Sequence, residues 1–194
     1  MIYTVSNANP SSSTWFVDPA VVNKGFIDEF DKKIYSTVSK NVVIQRHHLH
    51  YLNDRYAPAW KTIEFMTFGN ICTLYDNIKC KELKQQVAAN YGLRKIEIFD
   101  NYINTIRVIR NACAHGNHIC DLKLSKGIKK GPIANLLDLN RHDICGILLV
   151  LIFMLESISD NRKNELIIDF KRLVENVDNK EVIKNIATFS QNVL

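Results

Sequence analysis

Apolar residues in this chain recur at intervals of three and four, the spacing that places side chains on one face of an α-helix. Alternation of apolar and polar residues, which is typical of half-buried strands, is hard to find. Only seven glycines and four prolines interrupt the 194 residues. The clearest helical series consists of Val22, Phe26, Phe30, Ile34 and Val38. We therefore predict an all-α fold.

The N-terminal residues differ in character from the rest of the chain. Residues 1–14 are polar and rich in serine and asparagine, and we predict a flexible lead-in over residues 1–17. They lack the cationic start and apolar run of a secretory leader. Asp18-Pro19 is a typical helix start, and we predict a single all-α domain over residues 18–194. The five cysteines are irregularly spaced, which favours free thiols and a cytoplasmic location.

Helical spacing and helix-ending residues predict further elements. A long loop is expected over residues 117–137, followed by a buried helix that is capped by Asp138 or Asn140, contains the apolar run Ile144–Leu155 and extends to about Ser157. Its apolar run is too short to span a bilayer. The other predicted helices are 42–52, one continuous helix from Ala57-Pro58 to Tyr75, 81–91 closed by Gly92, 95–115 closed by Gly116, 161–177 and 180–192.

Arg110 and His115 lie near the end of the predicted helix 95–115. An arginine can bind a phosphate through two N–H groups, and a histidine can transfer a proton near neutral pH. Metal-free cleavage of a phosphodiester needs both functions, and Asn111 between them could orient either group. Such a pair also occurs by chance, so a structural role as an ion-pair partner or helix-end cation stays open. Helical geometry predicts that the core is faced by Phe99, Ile103, Ile106, Ile109 and Cys113.

The surrounding sequence supplies a family context. Tyr56-Ala57-Pro58-Ala59-Trp60, then Glu64, Thr67-Phe68-Gly69-Asn70 and Leu74-Tyr75, precede the segment Ile109 to His115. This order and spacing resemble the bacterial abortive-infection (Abi-like) family of the HEPN superfamily, over about residues 45–125.

The resemblance implies a HEPN-like helical bundle with additional C-terminal helices. It implies a metal-independent endoribonuclease or RNA-binding toxin of phage defence that needs no cofactor and has no membrane partner. It also implies a homodimer with a composite active site, and an antitoxin RNA or protein as a candidate partner. Carried over by position, Arg110 and His115 are the catalytic pair and Asn111 is the polar residue between them. The resemblance also favours a role for Glu64 in orienting Arg110 or His115, over a position at the solvent edge.

The chain departs from the family pattern after the histidine. Family members often continue with a second histidine and an arginine–leucine pair, whereas this chain reads Gly116-Asn117-His118-Ile119. We expect phosphate contacts from His118 and from four later lysines instead. The missing arginine keeps an alternative open, a catalytically silent RNA-binding or dimerisation module of the same fold. The lysines are Lys123, Lys126, Lys129 and Lys130.

Two other clusters suggest different chemistry. Cys113, His115, His118 and Cys120 are ligand types that suit zinc, but their spacing matches no familiar zinc module, so we predict no metal site and a buried, apolar role for Cys113. The histidines of segment 46–50 are expected to form a polar surface or dimer-facing patch.

The net charge and the motifs missing from the sequence narrow the range of functions. The net charge of +5 is compatible with a polyanionic partner such as RNA. No P-loop, dinucleotide-binding fingerprint or Gly-x-Ser-x-Gly elbow is present in the sequence. These absences argue against the common nucleotide-dependent enzymes and the common hydrolases.

Overall fold

The computed structural model describes residues 1–119, 121–133 and 141–175, with side chains up to residue 172. Helices and turns account for these residues, which contain no strand, and this confirms the all-α prediction. The chain divides after Val87 into two compact units, a boundary that the sequence patterns did not predict.

The first unit contains six α-helices, a short 3₁₀-helix and a π-helical turn. They are α1 Ile2–Ala8, the 3₁₀-helix Trp15–Val17, α2 Lys24–Phe30, the π-helix Asp31–Tyr35, α3 Ser36–Val38, α4 Val42–His50, α5 Ala59–Glu64 and α6 Phe68–Asp76. Helix α7, Lys81–Ala89, contains the boundary between the units. The described helices of the second unit are α8 Ile96–Ala114, α9 Ile144–Glu156 and α10 Asp160–Glu175.

The N-terminal segment belongs to the core of the first unit. Trp15 and Phe16 are fully buried, and the Trp15 indole Nε1 donates a hydrogen bond to the Ser6 hydroxyl at 2.9 Å. The Ser13 carbonyl accepts a hydrogen bond of 2.7 Å from the amide of Ala59, the first residue of α5. The prediction of a flexible lead-in over residues 1–17 is therefore wrong. A few large apolar side chains order this segment, although most of its residues are polar.

An aromatic cluster forms much of that core. The Phe30 ring lies 5.1 Å from the Phe16 ring and 5.7 Å from the Tyr56 ring, between centroids. The predicted apolar face from Val22 to Val38 is confirmed, since its five residues are buried. The first helix that carries this face begins at Lys24 rather than at Pro19. The reason is that the Asp18 carboxylate accepts a hydrogen bond from the amide of Ala20 and closes a turn.

The helix predicted to run from Ala57-Pro58 to Tyr75 is two helices. Helix α5 ends at Glu64, and α6 begins at Phe68. The Thr67 hydroxyl accepts a hydrogen bond from the amide of Asn70 at 3.2 Å, which caps the second helix. A threonine at this position satisfies a free amide at a new helix start, so the local hydrogen bond favours the break.

An ion-pair cluster joins the π-helical turn to the segment that precedes α5. The Tyr56 hydroxyl donates to Asp31 Oδ1 at 2.7 Å, and the Arg55 guanidinium donates to the other carboxylate oxygen. Partial burial opposes ionisation of Asp31, but the hydrogen bonds from Tyr56 and Arg55 outweigh it and lower the pKa of this carboxyl. Partial burial and the hydrogen bond to Asp31 raise the pKa of Tyr56 to about 12.

We expect Tyr56→Phe to lower the free energy of unfolding by about 1 kcal/mol at pH 7, since a partly exposed hydrogen bond to a carboxylate is removed. The pKa of Asp31 is lower in the folded protein, so its contribution is present above the unfolded pKa of about 4 and is lost as pH falls through the folded value. The free energies of unfolding of wild type and Tyr56→Phe, measured in urea, should differ less at pH 3 than at pH 7. Tyr3→Phe, on an exposed side chain, is the control, and an equal loss at both pH values would contradict the role of Asp31.

In the second unit, α9 packs against both α8 and α10. The Asp143 carboxylate caps α9 by accepting from the amides of Cys145 and Gly146, at 3.1 and 3.3 Å. The predicted caps, Asp138 and Asn140, lie outside the described residues, as does the predicted helix 180–192. Most of α9 is buried, as predicted, and none of the described helices combines the length and the apolar content needed to cross a membrane.

The core face of α8 is rotated from the predicted one. Phe99 and Ile109 are buried as expected, whereas Ile103 and Ile106 are half-buried and Cys113 is exposed. The buried residues of α8 are Phe99, Tyr102, Thr105, Ile109 and Ala112. The predicted buried, apolar role for Cys113 is therefore wrong. Ala112 occupies the last core position, and the adjacent cysteine points to solvent.

Candidate functional site

The motif helix α8 ends in a glycine-dependent turn. His115 is the C-cap residue, and Gly116 follows with φ +66°, a left-handed conformation that favours glycine. The Gly116 amide donates to the Cys113 carbonyl at 3.2 Å, and the Asn117 amide donates to the Ala112 carbonyl at 2.9 Å. This pair of bonds is a Schellman motif, and it confirms the predicted helix stop. His115 is thereby held at the carbonyl end of the helix.

Arg110, Asn111 and His115 are all exposed, so the structure places the predicted catalytic residues on the surface of the second unit. On an ideal helix Arg110 and His115 point about 140° apart, whereas Asn111 and His115 differ by only about 40°. The Arg110 Nη1 donates a hydrogen bond to Asn111 Oδ1 at 3.2 Å. This bond holds the guanidinium beside Asn111, which lies one helical turn before His115 on the same face.

A second arginine lies on the same stripe, and the sequence patterns gave it no role. Arg107 is partly exposed, precedes Asn111 by one helical turn, and donates from Nη2 to Asn104 Oδ1 at 2.6 Å. Its i, i+4 spacing to Asn111 was the signal that could have identified it. The described part of α8 therefore carries two arginines, Arg107 and Arg110, that precede His115. Each of them donates a hydrogen bond to an asparagine.

The loop after the motif carries the predicted substrate-binding residues. His118 and the four lysines at 123, 126, 129 and 130 are exposed, while Leu124, Ile128 and Ile133 are buried between or beside them. Asn101 of α8 accepts a 2.7 Å hydrogen bond from the Lys129 amide and donates to the Gly127 carbonyl at 3.3 Å. The loop is therefore anchored along α8, with its lysines directed to solvent.

The anchoring point of Lys129 on α8 lies before the motif. Asn101 precedes Arg110 by nine residues, about 13.5 Å along the helix axis. The expected phosphate contacts of His118 and the four lysines stay a prediction.

The remaining predicted site residues are less closely defined. Glu64 is exposed at the end of α5 in the first unit, and its role in orienting Arg110 or His115 stays a prediction. Of the zinc-type cluster, Cys113, His115 and His118 are exposed, and Cys120 lies outside the described residues. Within the part of the chain that the structure describes, no group of three His, Cys, Asp or Glu residues is placed to hold a metal.

The geometry can be compared with known proteins. A family model described as Abi-like protein matches residues 2–121, more than half of the chain. The match includes the ordered N-terminal segment, the Tyr56–Tyr75 region and the Arg110–His115 motif. Comparison with curated proteins and with solved structures found no match. Because the family match covers the motif and more than half of the chain, this chain belongs to the Abi-like protein family.

Proposed function

We propose that this chain is a metal-independent endoribonuclease of the HEPN type that acts in bacterial phage defence by abortive infection. Family membership supports the role in defence. One observation supports the chemistry: Arg110 and Asn111 form an exposed, hydrogen-bonded pair beside His115 at the end of α8. A permanent cation, a polar orienting group and a proton-transferring group are the parts that metal-free RNA cleavage requires.

The reaction follows from these groups. A neutral imidazole accepts the proton of a ribose 2′-OH, and the 2′-oxygen attacks the adjacent phosphorus. The bond from phosphorus to the 5′-oxygen breaks, and an imidazolium returns a proton to that oxygen. The products are a 2′,3′-cyclic phosphate and a 5′-OH end. Arg110 binds the non-bridging oxygens and offsets the charge that develops on them.

In-line attack explains why two copies of the chain would be needed. The entering 2′-oxygen and the leaving 5′-oxygen lie on opposite sides of the phosphorus, so one imidazole held at a helix end cannot serve both. A homodimer whose two motifs face one cleft supplies a histidine on each side. The expected mass in solution is twice the 22.3 kDa of one chain.

The proposal is tested with an RNA oligonucleotide and its variant carrying one 2′-O-methyl group at the mapped cleavage position. The unmodified RNA should be cut in the presence of EDTA to give a 2′,3′-cyclic phosphate, and the methylated position should resist, because its 2′-oxygen has no proton to lose. DNA of the same sequence should stay intact. Cleavage that EDTA abolishes, cleavage of DNA, or products with 5′-phosphate ends would each contradict the mechanism.

The altered residues after the motif favour one alternative, a silent module that binds RNA without cleaving it. Gly116-Asn117-His118-Ile119 lacks the arginine that family members often carry. Under this alternative the wild-type chain binds RNA in a filter assay and leaves it intact over long incubation. A chain that neither binds nor cuts RNA at low salt would be a dimerisation module.

A further inference from the structure

A solvent-open groove of about 300 Å³ lies on the first unit, remote in sequence from the motif. It is lined by residues of α4, the residue that follows α4, and one residue of α5: Val43, Arg46, His47, His50, Tyr51 and Lys61. Two of the six are permanent cations, two are histidines, and none is acidic. A groove of this composition attracts an anion.

The histidines of the groove are held in place by hydrogen bonds. The His50 Nδ1 lies 2.8 Å from the Arg46 carbonyl, which can only accept, so this nitrogen carries the proton and donates. The His47 Nε2 donates to an Asp54 carboxylate oxygen at 3.1 Å, and its ring stacks on Tyr51 with centroids 4.8 Å apart. His47 is buried, and its Nδ1 has no hydrogen-bond partner among the described residues. The groove wall is therefore preorganised, with one buried polar atom still unsatisfied.

Exposed aromatic rings flank the cations. Trp60 is 61 % exposed and Tyr51 is 58 % exposed, although both are large side chains that proteins usually bury. The Lys61 ammonium lies 5.0 Å from the centroid of the Trp60 ring. A cation beside an exposed ring is the arrangement with which proteins bind single-stranded nucleic acid, because the cation contacts a phosphate while the ring stacks on a base. An inorganic phosphate would use only the cations.

We infer that this groove is a second RNA-binding site, which holds single-stranded RNA through phosphate contacts from Arg46 and Lys61 and base stacking on Tyr51 and Trp60. The site goes beyond the cleavage chemistry proposed above. It is measured by binding alone, so its failure would be distinguishable from a failure of catalysis. Its effect would be to hold RNA on the first unit as well as on the second.

The test uses the full chain with His115→Ala, which removes the proposed proton transfer and leaves the groove intact. Binding of a short, unstructured, fluorescently labelled RNA is followed by anisotropy across a range of salt concentrations. Arg46→Ala with Lys61→Ala should weaken binding about tenfold or more. It should also reduce the slope of log affinity against log salt by roughly 0.7 for each phosphate that the double variant no longer neutralises.

Matched variants separate a specific groove from general charge. Lys24→Ala with Lys81→Ala removes the same charge from exposed positions of the same unit and should change affinity less than about twofold. Trp60→Ala should weaken binding about fivefold or more, and Trp60→Phe should retain most of it, because a ring is still available for stacking.

Several results would overturn the inference. An equal loss of affinity in both double variants would mean that only net charge matters. Unchanged RNA affinity in Arg46→Ala/Lys61→Ala would exclude the groove. Vesicles of phosphatidylserine and phosphatidylcholine provide the last comparison. Vesicle binding that needs Trp60 and Arg46, with RNA binding that does not, would assign the surface to a membrane instead.

Discussion

Replacement of Arg110 or His115 by alanine is expected to reduce RNA cleavage by about 10²- to 10⁴-fold, the range typical of a missing acid–base group. Both side chains are exposed, and Arg110 donates one described hydrogen bond, to its neighbour Asn111. The free energy of unfolding should therefore change by less than about 0.5 kcal/mol in either variant. Rates are measured on an end-labelled RNA, and stability by urea unfolding of the same preparations.

Two controls define what the loss of activity means. Cys113→Ala alters an exposed side chain inside the motif and should keep wild-type activity, whereas a zinc site at this position would make the change damaging. Arg110→Lys keeps the charge but cannot bind phosphate through two N–H groups of one plane, so its activity should lie between those of wild type and Arg110→Ala. Full activity in both alanine variants at the motif would refute the catalytic assignment.

Phe16→Ala is expected to destabilise the first unit by about 3–5 kcal/mol, the usual cost of emptying a buried aromatic site. Phe16 is fully buried, and its ring packs against the rings of Trp15, Phe30 and Tyr56. A typical domain is stable by only about 5–15 kcal/mol, so a loss of this size is a large fraction of the total.

The measurement can be confined to the first unit. The chain has two tryptophans, Trp15 and Trp60, and both lie before the boundary at Val87, so tryptophan fluorescence follows unfolding of this unit. Tyr3→Ala is the control, since it removes an aromatic side chain that is 80 % exposed in the same N-terminal segment, and it should cost less than about 0.5 kcal/mol. Similar small losses in both variants would support the flexible lead-in that the sequence suggested.

Local patterns predicted the elements that depend on local interactions. The apolar face from Val22 to Val38, the glycine that ends α7 and the glycine that ends α8 are each confirmed. Helix starts were harder to place, because Asp18 closes a turn and Thr67 opens a new helix within a continuous apolar pattern. Each of these side chains could cap a helix or a turn, and the sequence does not distinguish the two.

The candidate site also combines features that the sequence predicted with features that only the structure shows. The Arg110–His115 spacing and its position at a helix end were evident from the sequence, and the structure places both side chains in solvent. The hydrogen bonds that Arg110 and Arg107 donate to Asn111 and Asn104, and the anchoring of Lys129 on Asn101, were not evident. The first two depend on the side-chain rotamers of the arginines, and the third is a hydrogen bond between residues 28 positions apart.

The sequence by itself determined the all-α class, the motif and the family, because helical periodicity and motif spacing are properties of short segments. Only the tertiary structure decided that the polar N-terminus is part of the core, that Cys113 faces solvent, and that a basic, aromatic-flanked groove forms beside α4. Whether a side chain is buried depends on contacts with segments that are distant along the chain. A polar segment with a few large apolar side chains becomes ordered only when other helices supply a place to bury them.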